Sequence, residues 1–294
     1  MCLSSLNCEM CFAIYTLLIN LMPKVSIAVQ SYKNPEMLSL CIKSIQKHCA
    51  DFDYELIVAD SATEEDTKMM MREDFSDVIF LPHKENVGFG AMVNACIDQA
   101  KGEYVFFINA DTILENHTVE KFIAFMDEHK NVGLCGPKQK NFNGKYENTR
   151  FRFYQPLTIL YRRTFLGKMK FAQKHLERFE MKDVEKDGPY PVEWVIGSAM
   201  FVRRSMMEEV GKMDSRFFMY MEDVDWCRRF WEKGFLVCYN PQITMYHFYG
   251  KGSAKGGILK GLLFNRLTWI HISSGIKYFK KYKDRPMPEI AESL

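Results

Sequence analysis

The sequence predicts an α/β fold built on a largely parallel sheet. Strand-like runs alternate with amphipathic helical patterns through the first 136 residues, which is typical of parallel strands joined by right-handed crossovers. Polar residues follow several strands at the point where each one ends, and ligands bind at that edge of such sheets. With 294 residues, 47% of them hydrophobic, the chain can bury the core of one large domain.

The alternation is regular in the first half. The first helix has apolar Leu38, Cys41 and Ile45 on one face and Lys43 and Lys47 elsewhere, as expected for a helix that packs on a sheet. In order, the predicted elements are strand 25–30, helix 35–47, strand 54–60, helix 64–72, strand 78–81, helix 88–101, strand 104–109, helix 118–129 and strand 132–136.

The second half begins with a polar, basic and aromatic stretch over residues 138–190. It is either an irregular cover on the sheet edge or a surface that binds an acceptor or a phosphate. The elements expected after it are a strand over 192–203, which contains the small residues Gly197-Ser198-Ala199, a helix over 205–210, a helix ending at 233, and short strands at 236–239 and 243–247.

Both ends of the chain differ from this pattern. The apolar run 12–22 has about 11 residues, short of the ~20 that span a bilayer, and no Lys or Arg precedes it as in a signal peptide. We expect residues 1–21 to lie outside the fold as a disordered or non-native leader. Residues 256–294 mix apolar and basic side chains and predict a basic amphipathic helical tail, which either contacts a membrane surface or packs on the domain.

Charge and cysteine content exclude some classes of protein. Lys and Arg number 39 against 37 Asp and Glu, so the net charge of +2 does not favour binding to nucleic acid. The nine cysteines are an odd number, and their single C-x-x-C pair, Cys8 and Cys11, lies in the expected leader with no second pair to complete a zinc site, which fits a reducing cytoplasm.

Three groups of residues are candidates for chemistry. Asp111 follows the fourth strand, although a single acid there is more often a turn former than a ligand. Glu222, Asp223 and Asp225 open a helix; Asp225 is assigned to pairing with Arg228 or Arg229, and the other two could act as a base in a partly desolvated cleft. His247 ends a strand beside a glycine-rich run, where a histidine can bind a metal.

The order of these elements identifies a family. The chain carries Asp60 after the second strand, then Glu85-Asn-Val-Gly88-Phe-Gly, Asn94, Asn109-Ala-Asp111, Trp194-Val-Ile-Gly-Ser-Ala, Phe217-Phe-Met-Tyr-Met-Glu222-Asp223 and His247. From about residue 25 to 253 this resembles the family 2 inverting glycosyltransferases of GT-A fold, and most closely their rhamnosyltransferase branch. The resemblance implies a Rossmann-like mixed sheet flanked by helices.

The resemblance also implies roles for individual residues. Asp223 is the expected catalytic base, Asp111 and His247 the expected ligands of a divalent metal, Mg²⁺ or Mn²⁺, and Trp194 and Glu222 the expected acceptor-binding residues. The expected nucleotide-sugar site comprises Gln30, Tyr32, Asp60, Asn86, Gly88, Asn94, Asn109, Asp111 and Arg228. Two positions depart from the family pattern: Asn109 replaces the first acid of the D-x-D motif, and residues 30–33 read Gln-Ser-Tyr-Lys.

The implied function is transfer of a sugar to a glycan or lipid-linked acceptor in surface polysaccharide synthesis, at the cytoplasmic face of the membrane. The favoured donor is dTDP-L-rhamnose, with a UDP-sugar as the other option. The transferase domain would cover residues 22–255, with a nucleotide-binding half at 22–137 and an acceptor-binding half at 138–255.

Three other functions are compatible with polar residues at the strand ends of such a sheet. A dehydrogenase is disfavoured because the third glycine of its fingerprint is replaced by Val93 and the glycines follow the third strand. A nucleotidyltransferase would need a glycine-rich basic loop after the first strand, which residues 31–36 do not provide. An inactive GT-A fold that only binds sugars stays open.

Overall fold

A mixed sheet forms the centre of the structure, a computed structural model that describes residues 23–184, 186–248 and 266–294. The predicted leader, the glycine-rich run 250–253 and the start of the predicted tail lie outside the described residues. The strands are β1 (Val25–Tyr32), β2 (Tyr54–Ser61), β3 (Ile79–His83), β4 (Tyr104–Asn109), β5 (Thr112–Leu114), β6 (Val132–Lys140), β7 (Tyr146–Glu147), β8 (Arg150–Phe151), β9 (Tyr190–Pro191), β10 (Trp194–Val195), β11 (Ala199–Arg203) and β12 (Leu236–His247).

Helices cover the sheet. The first begins with Pro35 after Asn34, whose side chain accepts a hydrogen bond from Met37 N at 3.2 Å, an N-cap arrangement that sequence predicts well. The described helices are α1 (Pro35–His48), α2 (Glu65–Asp74), α3 (Phe89–Gln99), α4 (Thr118–Glu128), α5 (Pro156–Arg163), α6 (Lys170–Phe179), α7 (Arg204–Val210), α8 (Glu222–Glu232) and α9 (Arg266–Lys281), with a 3₁₀ turn at Phe165–Lys168.

The main sheet has the strand order β3-β2-β1-β4-β11-β6-β12-β5. The first four strands of this order are parallel, while β11 runs antiparallel to both of its neighbours. Parallel pairing aligns Gln30 with Asn109 and Ser31 with Asp60. The strand ends that carry polar residues therefore meet at one edge, and the predicted α/β fold with a mixed sheet is confirmed.

Three predicted elements were wrong in detail. Residues 112–114, expected in a loop, form β5 and pair with the end of β12, aligning Thr112 with His247. The strand expected over 192–203 is divided into β10 and β11, because residues 196–198 leave the extended pairing. The two short strands expected after 236 form one strand with an irregularity between Asn240 and Thr244.

The stretch 138–190 is more regular than expected, because it contains α5 and α6. Gln155 and Thr158 form a capping box at the start of α5, a signal that the polar composition concealed. The aromatic residues of this stretch are buried: Phe151 and Tyr154 stack against Trp194 with ring centroids 4.6 and 5.7 Å away. They therefore act as a cover on the domain, as one of the two interpretations proposed.

The described part of the predicted tail also packs on the domain. Gly275 of α9 lies against Ile159 so closely that a Cβ would come within 2.3 Å of its Cδ1, and Ser274 Oγ donates to Met219 O at 2.9 Å. Trp269 and Ile276 stay exposed on the outer face of the helix. None of the helices in the described ranges is long and apolar enough to cross a bilayer.

Candidate active site

A cavity of about 230 Å³ opens at the edge where the parallel strands end. Its walls come from the ends of β1 and β4, the loop before α3, and Met219 from the segment before α8. The lining residues are Gln30, Ser31, Tyr32, Asn34, Met37, Asn86, Gly88, Phe89, Met92, Asn109, Ala110, Asp111 and Met219.

Two buried polar side chains at this edge carry oxygen atoms that no donor from the described residues reaches. Asp60 is 1% exposed, and neither carboxylate oxygen meets a hydrogen-bond donor among the described residues. Gln30 Nε2 donates to Ala28 O at 3.1 Å, but no donor from the described part of the chain reaches its Oε1. Burying a polar group without a hydrogen bond is costly, so these oxygens suit a ligand that donates N–H or O–H groups.

The loop before α3 is held by its own polar groups. Asn86 Oδ1 accepts hydrogen bonds from Gly88 N at 3.1 Å and from Ser61 Oγ at 3.4 Å. Gly88 has a φ of +82°, and a Cβ there would lie 2.2 Å from Phe218 O. Only glycine fits this close approach, which brings the loop against the segment before α8.

Two residues expected in the nucleotide-sugar site lie elsewhere. Asn94 uses both ends of its amide on Met213, donating to Met213 O and accepting from Met213 N at 2.9 Å each. Arg228 is 3% exposed; it donates to Glu232 and Pro286 O and stacks on Tyr282. Asn94, Arg228 and Asp60 all lie outside the lining of the cavity. Because the polar groups of Asn94 and Arg228 have partners within the fold, unlike the Asp60 carboxylate oxygens in the described ranges, we assign neither Asn94 nor Arg228 to the donor site. In the sequence alone, an arginine of a helix that is buried within the fold cannot be told from one that binds a ligand.

The two expected metal ligands lie side by side. His247 Nε2 is 3.4 Å from Asp111 Oδ1, because pairing of β5 with β12 brings the two strand ends together. His247 Nδ1 is 4.0 Å from Glu147 Oε2, and the Asp111 Oδ1 atom is buried with no hydrogen bond from the described chain. Sequence reasoning missed Glu147, which enters through the β6–β7 hairpin within a polar stretch that gave no signal.

The metal-binding atoms of Asp111 and His247 suit a divalent cation whose remaining ligands come from a substrate. One carboxylate and one imidazole are too few for a closed site, and no group of three His, Cys, Asp or Glu residues that could hold a metal occurs in the described ranges. Oxygen ligands from a diphosphate would complete the coordination of Mg²⁺ or Mn²⁺.

Asp223 lies at the N-terminus of α8, held in place by backbone donors. Its Oδ2 accepts from Gly197 N at 3.0 Å and its Oδ1 accepts from Val224 N at 2.9 Å. Burial raises the pKa of Asp223 to about 6, although these N–H groups and the charge of Arg162 favour the ionised form. An aspartate with this pKa can accept a proton near neutral pH.

Glu222 differs from its neighbour. It is 5% exposed, its Oε2 has no hydrogen-bond partner among the described residues, and burial followed by the charge of Asp223 raises its pKa well above 4.5. As the pH rises, Asp223 therefore ionises first, while Glu222 stays protonated. Glu222 offers little surface to an acceptor.

The acid pair adjoins the cavity through two glycines. A Cβ on Gly197 would lie 3.0 Å from the ring of Phe89, a cavity residue, and 3.6 Å from Asp223 Cβ. A Cβ on Gly90 would lie 3.7 Å from Glu222 Cβ. Asp223 and the strand-end acids thus stand on two sides of one region.

Trp194 is 4% exposed and donates from Nε1 to Arg152 O at 2.8 Å. It sits in the aromatic cover beside β8, and the cavity at the strand ends does not include it.

Comparison with known proteins identifies the family of the chain. The model of Glycosyl transferase family 2 matches residues 26–211, more than half of the chain. The chain belongs to this family.

Curated relatives within family 2 include two rhamnosyltransferases. The N-acetylglucosaminyl-diphospho-decaprenol L-rhamnosyltransferase of Mycobacterium tuberculosis is 27% identical over 220 residues, which cover 65% of this chain and 66% of the relative. The chain thus spans just under two thirds of that relative. The dTDP-rhamnosyl transferase RfbF of Shigella flexneri is 23% identical over 76% of the chain and 68% of the relative.

Solved structures show the same fold. The mannosyltransferase PcManGT of Pyrobaculum calidifontis, in complex with GDP-Man and Mn²⁺, matches with a TM-score of 0.53 and 15% identity over 90% of this chain and 76% of its own. TarS 1-349 of S. aureus in complex with UDP matches with a TM-score of 0.52 and 17% identity over 76% of this chain and 60% of its own.

Proposed function

We propose that this family 2 chain is an inverting glycosyltransferase that moves a sugar from a nucleotide diphosphate sugar to a glycan or lipid-linked acceptor. The observation that carries the proposal is the position of Asp223, an acid with a pKa of about 6, beside a cavity whose strand-end wall carries Asp111. A base on one side of the reacting carbon and charge neutralisation on the other are what inversion requires.

The strand-end edge serves the donor. The carboxylate of Asp60 and the amide oxygen of Gln30 accept hydrogen bonds from the nucleoside. The cavity around the nucleoside is lined by Tyr32, Asn86, Gly88 and Asn109. A second group of residues, Asp111 with His247, holds a divalent cation. When bound, that cation supplies positive charge that stabilises the leaving diphosphate.

Asp223 serves the acceptor. Its carboxylate takes the proton of the acceptor hydroxyl while the hydroxyl oxygen forms a bond to the anomeric carbon. The bond from that carbon to the diphosphate oxygen breaks, and its electron pair leaves with the nucleoside diphosphate. The Gly197 N–H holds Asp223 Oδ2 and thereby aims the carboxylate.

The favoured sugar is L-rhamnose, carried by dTDP, and a UDP-sugar is the other option. The names of the Mycobacterium and Shigella relatives support rhamnose, and the former names a diphospho-decaprenol acceptor. Such an acceptor implies work at the cytoplasmic face of a membrane in surface polysaccharide synthesis. Exposed Trp269 and Ile276 on α9, near the basic Lys280, fit a contact with that surface.

The test is sugar transfer by the Asp223→Asn variant. We expect the rate to fall by about 10²–10⁴-fold, because general-base catalysis contributes roughly that factor, while donor affinity stays unchanged. Asp98→Asn, an exposed acid paired with Lys212, is the matched control and keeps full activity. Activity retained by Asp223→Asn contradicts the base assignment. Donor binding by the wild type without transfer or donor hydrolysis favours a sugar-binding module instead.

A further inference from the structure

A second, larger cavity of about 630 Å³ lies between the end of α6, the middle of α8 and the segment that follows α9. Aromatic side chains make up much of its wall: Tyr154, Phe179, Tyr278, Phe279 and Tyr282. The function proposed above assigns it no role.

The charges around this cavity are unbalanced. Among the described lining residues the only carboxylate is that of Glu193, which accepts a hydrogen bond from Phe153 N and lies 3.9 Å from Arg152. The cationic side chains at the wall are Arg152, Arg178, Arg228, Lys283 and Arg285. A cavity with this excess of positive charge favours an anionic ligand.

Part of this positive charge is already paired. Arg152 pairs with Asp183 at 2.8 Å, and Arg228 pairs with Glu232 at 3.0 Å. Within the described ranges no ion pair engages Arg178 or Lys283, although both line the cavity. Arg285 also lies 3.8 Å from Glu232. The three paired arginines set the shape of the site, and Arg178 and Lys283 are available to a ligand.

The cavity also borders the helix that carries the catalytic base. Arg228 follows Asp223 by five residues on α8, about 7.5 Å along the axis and about 140° around it, so the two side chains leave the helix on different sides. Tyr154, in the cavity wall, accepts a hydrogen bond from Arg162, whose charge acts on Asp223. The contact between Tyr154 and Arg162 therefore connects this cavity with the acceptor side of the proposed reaction.

We propose that this cavity binds the diphosphate group of a lipid-linked acceptor, with the aromatic wall taking the first part of the lipid. Arg and Lys donors suit phosphate oxygens, and the aromatic surface suits a prenyl chain. The proposal rests on the proposed function, which it deepens by naming the acceptor's chemical class. Free pyrophosphate shares the same anionic chemistry, so the test separates the two sources.

The first test is calorimetric binding of inorganic pyrophosphate and of farnesyl diphosphate to the full chain, with EDTA to remove the cation on which diphosphate binding at the strand-end cavity depends. We expect Arg178→Gln with Lys283→Gln to weaken both ligands by about tenfold or more, because charged hydrogen bonds each contribute roughly that factor. The matched control is Lys43→Gln with Lys47→Gln, two exposed lysines of α1, which should bind like the wild type.

The outcomes separate the sources. Farnesyl diphosphate bound more tightly than pyrophosphate supports the lipid-linked ligand, whereas equal affinities contradict the lipid part. The proposed site is wrong if the Lys43 and Lys47 double variant binds the ligands as weakly as the Arg178 and Lys283 double variant. It is also wrong if the Arg178 and Lys283 double variant binds them like the wild type.

The second test compares two acceptors in the transfer reaction. The Arg178→Gln and Lys283→Gln double variant should have a KM about tenfold higher for a prenyl diphosphate saccharide and an unchanged KM for the phosphate-free saccharide. Its kcat should be unaltered for both acceptors. An equal change for both acceptors overturns the diphosphate site while the proposed function stands. If no acceptor is glycosylated by the wild type, the proposed function fails, and the binding measurement still decides whether the anion site exists.

Discussion

Asp60 and Asp225 are both buried, yet their surroundings are opposite. Asp60 is 1% exposed at the end of β2, and neither of its oxygens finds a hydrogen-bond donor in the described part of the chain. Asp225 is 0% exposed on α8, and it accepts hydrogen bonds from Arg229 Nε at 2.9 Å, from Tyr282 OH at 2.8 Å and from Lys281. One carboxylate lacks partners and the other has three.

The difference separates binding from architecture. Asp225 joins α8 to the end of α9 and so fixes the C-terminal region on the domain. Asp60 contributes nothing comparable to the fold, and its burial is explained by a ligand that supplies donors. Two equally buried aspartates can therefore be assigned to ligand binding or to the fold by whether they have hydrogen-bond partners.

The largest effect should come from Asp225→Asn. Losing this carboxylate leaves Lys281 and Arg229 facing an amide, so we expect unfolding free energy to fall by about 3 kcal/mol. Chemical denaturation measures it. Asp98→Asn, which breaks an exposed pair with Lys212, should cost roughly 0–1 kcal/mol. Equal losses in the two variants contradict the structural role of Asp225.

Asp60→Asn should show the reverse pattern. Nucleoside diphosphate affinity should weaken by about 10- to 100-fold, since a charged hydrogen bond contributes roughly 1.5–3 kcal/mol. Stability without ligand should be unchanged or higher, because a buried carboxylate without partners is removed. Calorimetry and denaturation of the same sample test both. A less stable variant with full affinity breaks the comparison.

The pH dependence of transfer sharpens the account at Asp223. Because burial raises the pKa of Asp223 to about 6 and the base must be ionised, kcat/KM should fall about tenfold per pH unit below that value. A pH profile of kcat/KM measures this. A flat profile between pH 5 and about 7 is inconsistent with Asp223 as the base.

Glu222→Gln should have the smallest effect. Glu222 is protonated when Asp223 ionises, so the activity midpoint should stay near 6. The raised pKa of Glu222 means that the wild type loses stability as pH rises above the ordinary value of 4.5, and the variant should lose less. Denaturation over a range of pH values tests this; equal slopes for both proteins contradict burial of the ionising group.

Local pattern predicted the helices and strands of residues 22–137 well. The spacing of Leu38, Cys41 and Ile45 gave α1, and the apolar run before Asn109 gave β4 with its observed bounds. The gathering of Gln30, Asp60 and Asn109 at one edge follows from parallel pairing alone. Their roles toward a donor stay predictions.

Contacts distant in sequence could not be predicted. The sequence predicts that Asp225 pairs with Arg228 or Arg229, and Arg229 does pair with it. Its other partners, Lys281 and Tyr282, lie at the end of α9, more than 50 residues later. β5 has only three residues, too few for a periodic signal, yet it sets Asp111 against His247. Nothing local in the sequence distinguishes an arginine at a donor site from Arg228, whose partners lie in the C-terminal segment.

The most direct measurement is stability of the wild type and of Asp60→Asn with the dTDP, UDP and GDP series, each with Mn²⁺ and with EDTA. One series at ~100 times its Kd should stabilise the wild type by about 2.7 kcal/mol with Mn²⁺, less with EDTA, and much less in the variant. No stabilisation by any series, or equal stabilisation of both proteins, would contradict a nucleotide-sugar site built on Asp60.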